Sequence, residues 1–470
     1  MRMTDIQRCE IRPGRLVEWT LAATTVEAAR GLPEDARPAS YVQEFHLRSA
    51  RSVRDQGLFV PNWLGAAFDL PGPVDLGVLE GALHAWTARH ETLRSGFRWV
   101  DGELRRFTLE VGAVALDRAD VGEFTDGAVL ARRLQDRFDR TAEALVWPNF
   151  LFSAVLREDG ASVYLAFDHS NVDAGSIYRI PAEIHELYAA GLAGRAARLP
   201  SAASYVDFCA AERGEADAID GGHPTVGRWR EFVRRCGGTM PPFPVDLGID
   251  PAGPMPPQRF LSEPLVGDAD AAAFEAYCRP YGGSLVGVLA ATALILRDLG
   301  ETEVYRTIVP FHTRAKSHWA HAVGWFVGGV PIEVPVAAST ELRGALETVR
   351  GQLRANRALA RVPIARAIAV LGEEFPQASP DPCSFVSFAD TRDMPLSARW
   401  AELRAYGLVR VSYGSQVCVW VTRSHEGLWF ASRFPDTDVA HKNLRRYTEA
   451  LRDLVASVAR LREADRAPVG

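Results

Sequence analysis

Residues 168–174 read Asp-His-Ser-Asn-Val-Asp-Ala, and they stand where a predicted hairpin gives way to a predicted helix. Residues 150–156 and 162–167 are strand-like, and the turn-forming residues 157–161 separate them. Beyond Gly175, apolar residues return at helical spacing through position 188, while Pro181 predicts a kink or a late helix start. The sequence therefore predicts that His169 lies on a turn between a strand and a helix.

His169 and Asp173 have an H-x-x-x-D spacing, which is weak by itself because 11 His residues would produce about one such pair by chance. The position of the pair is more informative. The small residues Ala174 and Gly175 let the backbone bend and leave the imidazole open to a cleft. A neutral imidazole can take a proton from a hydroxyl or amine near pH 7. The alternatives are a core histidine at position 169 and a helix N-cap at position 173.

Strands and helices are mixed in both halves of the chain. Asp75 can cap a helix with apolar positions from 76 to 97, and a second helix is predicted over 284–299. Strands are predicted near 304–310 and 330–336, a hairpin over 417–434, and a last helix from 439 to about 461. These patterns favour two α/β or α+β lobes.

The length of 470 residues exceeds what one hydrophobic core normally organises, so two lobes are expected. Residues 221–257 are rich in proline and glycine and are the best candidate for a connection. The predicted division is an N-terminal lobe over 1–200, a connecting segment over 201–257 and a C-terminal lobe over 258–470.

Composition and missing motifs exclude several classes of protein. The net charge of -6, without long single-sign blocks, gives little attraction to nucleic acid. The six cysteines form no C-x-x-C pair, so neither a disulfide framework nor a metal site is predicted. The N-terminus lacks the apolar core of a signal peptide, and the uncharged residues 280–296 are too few to span a membrane, so we expect a cytoplasmic protein without a membrane span. No serine hydrolase, P-loop or zincin motif occurs.

Five segments in order along the chain resemble the superfamily of condensation domains and chloramphenicol acetyltransferase-like acyltransferases. Its H-H-x-x-x-D-G motif matches residues 168–174. The other matches are S-x-x-Q at Ser40 to Gln43, R-H-x-x-L-R at 89–94, Arg314 followed by V-G-x-F at 323–326, and a late bridging strand at 384–388. Within the superfamily, the chain looks closest to free-standing acyltransferases associated with polyketide synthases and to stand-alone condensation enzymes.

The resemblance implies a fold, a reaction and roles for individual residues. The fold would be two chloramphenicol acetyltransferase-like lobes, forming a V-shaped pseudo-dimer with a central tunnel. His169 would be the general base, and Asp173 would pair with Arg314 to hold the turn. The acyl donor would be a carrier-protein or coenzyme A thioester, and the acceptor a small-molecule hydroxyl or amine, with no cofactor and no covalent acyl-enzyme. A monomer is expected.

The chain departs from the family pattern in two places. Asp168 replaces the first motif His, and can orient a neighbour, alter the charge near His169 or cap the turn. The D-F-G-W-G motif is missing; the nearest stretch is 410–415, where Ser412 and Ser415 are candidate oxyanion or tunnel residues. These departures leave open a catalytically silent module that docks a carrier protein, and also a related fold recruited for cyclisation or hydrolysis.

Overall fold

The computed structural model describes residues 1–250, 252–300, 302–337, 341–375 and 383–466. Pro251 of the predicted connecting segment and residues 467–470 of the predicted C-terminal lobe lie outside the described residues. The strands are β1 (Arg2–Thr4), β2 (Gly14–Leu21), β3 (Trp63–Pro71), β4 (Ser95–Val100), β5 (Glu103–Thr108), β6 (Leu116–Phe124), β7 (Phe150–Arg157), β8 (Gly160–Asp168), β9 (Gln258–Gly267), β10 (Val304–His312), β11 (Val327–Pro335), β12 (Phe385–Asp390), β13 (Tyr406–Val409), β14 (Cys418–Ser424) and β15 (Gly427–Pro435).

The α-helices alternate with these strands along the chain. They are α1 (Ala23–Arg30), α2 (Tyr41–Asp55), α3 (Leu76–Arg89), α4 (Glu91–Arg94), α5 (Gly127–Thr141), α6 (Ala174–Ile177), α7 (Ile180–Leu192), α8 (Tyr205–Ala216), α9 (Pro224–Arg235), α10 (Asp268–Cys278), α11 (Ser284–Gly300), α12 (Leu342–Asn356), α13 (Ile364–Leu371) and α14 (Asp438–Arg466).

The chain divides into two compact units, each with its own mixed α/β architecture. The first unit consists of Met1–Ala218, His312–Val327 and Met394–Arg410. The second unit consists of Ile219–Phe311, Gly328–Asp393 and Val411–Gly470. The predicted mixed α/β class with two sheet-bearing parts is therefore confirmed.

The first unit is built on a seven-stranded sheet with the strand order β1-β13-β3-β8-β7-β2-β6. The predicted hairpin is present as β7 and β8, which pair antiparallel from Phe150↔Phe167 to Arg157↔Gly160. Strand β8 lies in the middle of the sheet, and all nine of its residues are buried. Apolar side chains of α5 pack on one face of the sheet, including Leu134 and Phe138. The end of β8 is thus a well-anchored position from which to present a side chain.

The second unit contains a six-stranded sheet with the order β11-β10-β12-β14-β15-β9. Helix α11, predicted over 284–299, has eleven consecutive buried residues from Val286 to Leu296, most of which belong to the hydrophobic core of this unit. In the described part of the chain, no single helix is long and apolar enough to cross a membrane; Asp268–Tyr281 and Ser284–Gly300 meet that test only as a pair bent by 94°.

The two units differ from the lobes predicted from sequence, because the chain passes between them more than once. His312–Val327 and Met394–Arg410 lie in the predicted C-terminal lobe but belong to the first unit. The physical reason for the second segment is strand pairing: β13 lies between β1 and β3, parallel to β1 and antiparallel to β3. Local sequence patterns carry no information about such long-range pairing.

Two predicted elements also need correction. The helix predicted from 76 to 97 ends at Arg89, because His90 adopts an extended conformation, and Phe97 lies on β4 instead. The predicted connection at 221–257 contains helix α9, which starts with Pro224, since proline is tolerated in the first helical turn. Pro181 likewise lies in the first turn of α7, so the late helix start is the correct alternative.

Candidate active site

The His169 turn, residues 168–174, leaves the carboxyl end of β8 as one turn of 3₁₀ helix over His169–Asn171. Asp168 caps this turn by accepting a hydrogen bond from the Ser170 backbone N–H at 2.9 Å. Helix α6 then starts at Ala174 with Asp173 as its N-cap. His169 therefore lies on a turn between a strand and a helix, as the sequence predicts, and both short elements of this turn have side-chain caps.

The imidazole of His169 is oriented by one hydrogen bond and one ring contact. Its Nδ1–H donates to the Val172 carbonyl oxygen at 2.9 Å, so the lone pair of the neutral ring is on Nε2. The indole of Trp325 stacks on the ring, with centroids 3.9 Å apart and planes inclined by 26°. Burial lowers the pKa of His169 to about 4, and the nearby His46 adds to the shift. His169 is therefore an uncharged proton acceptor at neutral pH.

Asp173 and Arg314 form the ion pair that the family resemblance implies, although they are 141 positions apart in sequence. The guanidinium makes two hydrogen bonds to the carboxylate, at 2.6 and 2.8 Å. Their side chains are only 11% and 5% exposed, respectively. Burial alone would raise the pKa of Asp173, but Arg314 and Ser176 outweigh it and hold the pKa below its ordinary value. The predicted contact is confirmed.

The same carboxylate also fixes the segment that carries Trp325. Asp173 Oδ2 accepts the backbone N–H of Phe326 at 3.0 Å. The hydroxyl of Ser176 donates to the Gly324 carbonyl and accepts from the Gly324 N–H, at 3.0 and 3.1 Å. The hydroxyl of Tyr205 donates to the Trp325 carbonyl at 3.0 Å. The backbone on both sides of Trp325 is thus held in place by the turn and by α8.

Asp168 has a partner that the sequence reading did not identify. The Nε2–H of His46, on α2, donates to both carboxylate oxygens of Asp168, at 3.1 and 3.2 Å. Burial alone would raise the pKa of Asp168, but His46 and the hydrogen bonds from Ser170 keep it below the ordinary value. Asp168 therefore caps the turn, holds a neighbouring side chain and, through its charge, acts to raise the pKa of His169.

Other segments of the resemblance also contact the His169 turn. Gln43 of the S-x-x-Q match closes a capping box with Ser40 and donates to the Ser170 carbonyl at 2.9 Å. Thr92 of the R-H-x-x-L-R match donates to the Asn171 side chain at 3.1 Å. Two motifs that are distant in sequence therefore donate hydrogen bonds to the same turn.

The two candidate oxyanion residues belong to the other unit. Ser412 and Ser415 lie in the second unit, where Ser415 is exposed and the Ser412 carbonyl accepts from the Gln258 N–H at 2.9 Å. Their role stays a prediction. None of the six cysteines, all within the described part of the chain, forms a disulfide, and burial raises the pKa of Cys209 to about 11, which keeps that thiol neutral.

His46, Trp325, Ser176 and Tyr205 are residues of this site to which the sequence analysis gave no role. A signal for His46 existed, because it follows Gln43 by three positions and therefore lies on the same face of α2. Trp325 was noted only as the variable position of V-G-x-F. Its contact with His169 joins parts of the chain more than 150 positions apart, which helical or strand spacing does not reveal.

The chain is similar to known proteins over most of its length. The family model described as condensation domain matches residues 63–370. Acyltransferase PapA3 of Mycobacterium tuberculosis is 29% identical over 95% of this chain and 94% of its own length. Trehalose-2-sulfate acyltransferase PapA2 of the same species is 30% identical over 95% of each chain. A solved structure described as PapA2 acyl transferase has a TM-score of 0.88 at 27% identity, covering 98% of this chain and 100% of that one. The chain therefore belongs to the condensation domain family, and its similarity to acyltransferases extends over nearly its whole length.

Proposed function

We propose that this protein is an acyltransferase that moves an acyl group from a thioester to a hydroxyl of a sugar or glycolipid acceptor, with His169 as the general base. The observation that carries the proposal is the arrangement of His169, whose Nδ1 is engaged by Val172 and whose Nε2 lone pair is available. The similarity to PapA2, named for trehalose 2-sulfate, favours a hydroxyl over an amine as the acceptor.

The reaction needs one proton acceptor and no covalent enzyme intermediate. Nε2 of His169 takes the acceptor's hydroxyl proton while the oxygen adds to the thioester carbonyl carbon. The tetrahedral intermediate then collapses, the C–S bond breaks, and the departing sulfur takes the proton from the imidazolium. The products are an ester and a free thiol. Ser412 and Ser415 remain our candidates for stabilising the oxyanion.

The donor is proposed as an acyl phosphopantetheine thioester, carried either by an acyl carrier protein or by coenzyme A. The test incubates the protein with a long-chain acyl group in each form, together with trehalose or trehalose 2-sulfate. Mass spectrometry of ester and free thiol then identifies the donor and acceptor. Absence of ester with every combination would contradict a sugar acceptor of this class.

His169→Ala should lower the single-turnover rate by roughly 10² to 10⁴, because general-base catalysis is typically worth that much. Folding should be retained, since the caps that shape the turn, Asp168 and Asp173, are not changed. His84→Ala is the matched control, because His84 makes a comparable hydrogen bond to a backbone carbonyl, that of Val114, at 2.8 Å. Asp168→Ala should cost much less than His169→Ala, and the reverse order would overturn the mechanism.

A further inference from the structure

A buried histidine and carboxylate, His46 and Asp168, lie beside the candidate base without matching the family motif. Asp168 is only 1% exposed and His46 only 9%. A buried carboxylate is costly unless it is paired and hydrogen-bonded. The bifurcated hydrogen bond from the His46 Nε2–H meets that requirement, and His46 lowers the pKa of Asp168.

Trp325 contacts both imidazoles. Its indole stacks on His169 at a centroid distance of 3.9 Å, and it meets the His46 ring edge-to-face at 5.5 Å with planes inclined by 81°. The backbone of Trp325 is separately fixed by Tyr205 and by the contacts of its two neighbours. The indole thus has His169 against its face and His46 beside it.

We propose that His46 is a positioning residue of this reaction: held by Asp168, it keeps the indole of Trp325 against one face of the His169 ring. The inference rests on the proposed function, since it concerns the orientation of the same base. A stacked indole restricts rotation of the His169 ring and therefore limits the directions in which Nε2 can point. Asp168 in place of the first motif His is then explained, because a carboxylate there can hold a histidine supplied by α2.

His46 lowers the pKa of His169, and this electrostatic effect provides a readout that a purely structural role would not give. Among the described residues, the ionisable side chains with the largest effect on His169 are His46 on α2, Asp168 at the end of β8 and Asp173 on the turn. Arg314 offsets the charge of Asp173 through its bidentate contact. A protonated His46 opposes protonation of His169, whereas the carboxylate of Asp168 favours it. Removing His46 alone should therefore raise the pKa of His169.

The decisive variant is His46→Gln, which keeps a side-chain N–H near Asp168 but removes the charge. The pKa of His169 is measured by NMR titration of the full-length, histidine-labelled protein, with the signal assigned by comparison with His169→Ala. We expect His46→Gln to raise that pKa by about 1 or more, as one nearby charge typically does. The acid limb of the single-turnover pH profile should move upward by the same amount.

Three further variants keep the test from depending on whether any one variant folds. Asp168→Asn should shift the pKa of His169 less than His46→Gln does. This variant breaks the pair with His46, but it also removes the Asp168 carboxylate, which favours protonation of His169. The double variant should resemble Asp168→Asn, and His84→Gln should leave the pKa and the profile unchanged. An unchanged single-turnover rate of His46→Gln at its own pH optimum, or an unchanged pKa of His169 in both single variants, would overturn the proposal.

The NMR measurement also separates this inference from the proposed function. A shifted pKa of His169 in a protein that transfers no acyl group would support the role of His46 and contradict the acyltransferase assignment. Acyl transfer with an unshifted pKa would support the acyltransferase and contradict the role of His46.

Discussion

The side chain of Arg314 connects the two halves of the candidate site. It neutralises Asp173, and Asp173 in turn caps α6 and accepts the Phe326 N–H beside Trp325. One carboxylate therefore fixes both the turn that presents His169 and the segment that covers its ring. A buried ion pair of this kind is weak evidence of net stabilisation, yet removal of one partner is expensive because the other charge stays buried.

Arg314→Ala should lower the free energy of unfolding by roughly 3–5 kcal/mol and reduce acyl transfer in parallel. The stability and activity of Arg314→Lys should lie between those of Arg314→Ala and the wild type. Lysine keeps the positive charge, but an ammonium group cannot make the two parallel hydrogen bonds of the guanidinium. Chemical denaturation measures the stability of each variant. Arg399, in an exposed pair with Glu402, is the control, and its replacement by Ala should have no measurable effect. Wild-type stability of Arg314→Ala would show that the pair does not hold the turn.

At the level of elements, the segment from Gly324 to Phe326 is packed so closely against α8 that position 324 admits no side chain. A Cβ at Gly324 would lie 2.2 Å from Cγ of Tyr205, whose side chain is 1% exposed. Either α8 or the backbone next to Trp325 would have to move. The glycine of the V-G-x-F match is therefore required by a helix contact and not by a special backbone angle.

Gly324→Ala should destabilise the protein by about 1–3 kcal/mol, as overpacking of a tight contact does, and should also slow acyl transfer. Gly351→Ala on α12 is the matched control, since no atom lies within 4 Å of its added Cβ. Gly351→Ala should raise the free energy of unfolding by roughly 0.5–1 kcal/mol, because alanine is favoured over glycine inside a helix. Thermal unfolding and single-turnover rates measure both effects; equal behaviour of the two variants would refute the packing argument.

At the level of the whole molecule, the first unit depends on segments from late in the sequence. Strand β13 lies between β1 and β3, and the segment from His312 to Val327 supplies Arg314 and Trp325. Without β13, β1 would lose its partner and β3 would become an open edge, which promotes aggregation. Residues 1–218 by themselves therefore lack part of their own sheet.

A fragment of residues 1–218 should fail to unfold cooperatively and should not give a dispersed NMR spectrum. Co-expression with a fragment of residues 219–470 should restore folded protein, because that fragment contains both missing segments. Size-exclusion chromatography and thermal unfolding distinguish these outcomes. A fragment of 1–218 that melts cooperatively would show that the first unit is complete without its late segments.

The sequence by itself determined the local elements, because their signals are local. Alternating and helical periodicity predicted β7, β8, α11 and α14. The order of five motifs predicted the family, and it also predicted the Asp173–Arg314 pair through the resemblance. The helix predicted to reach position 97 was wrong because helical spacing alone does not register the extended conformation of His90.

Only the tertiary structure decided what surrounds the candidate base. The contact of Asp168 with His46 spans 122 positions, and β13, residues 406–409, pairs with β1, about 400 positions earlier in the chain. Periodicity reports which face of an element is apolar, but not which distant element packs against it. The choice of partner depends on the packing of the whole unit, so His46, Trp325 and the division of the chain into two units had to be read from the structure.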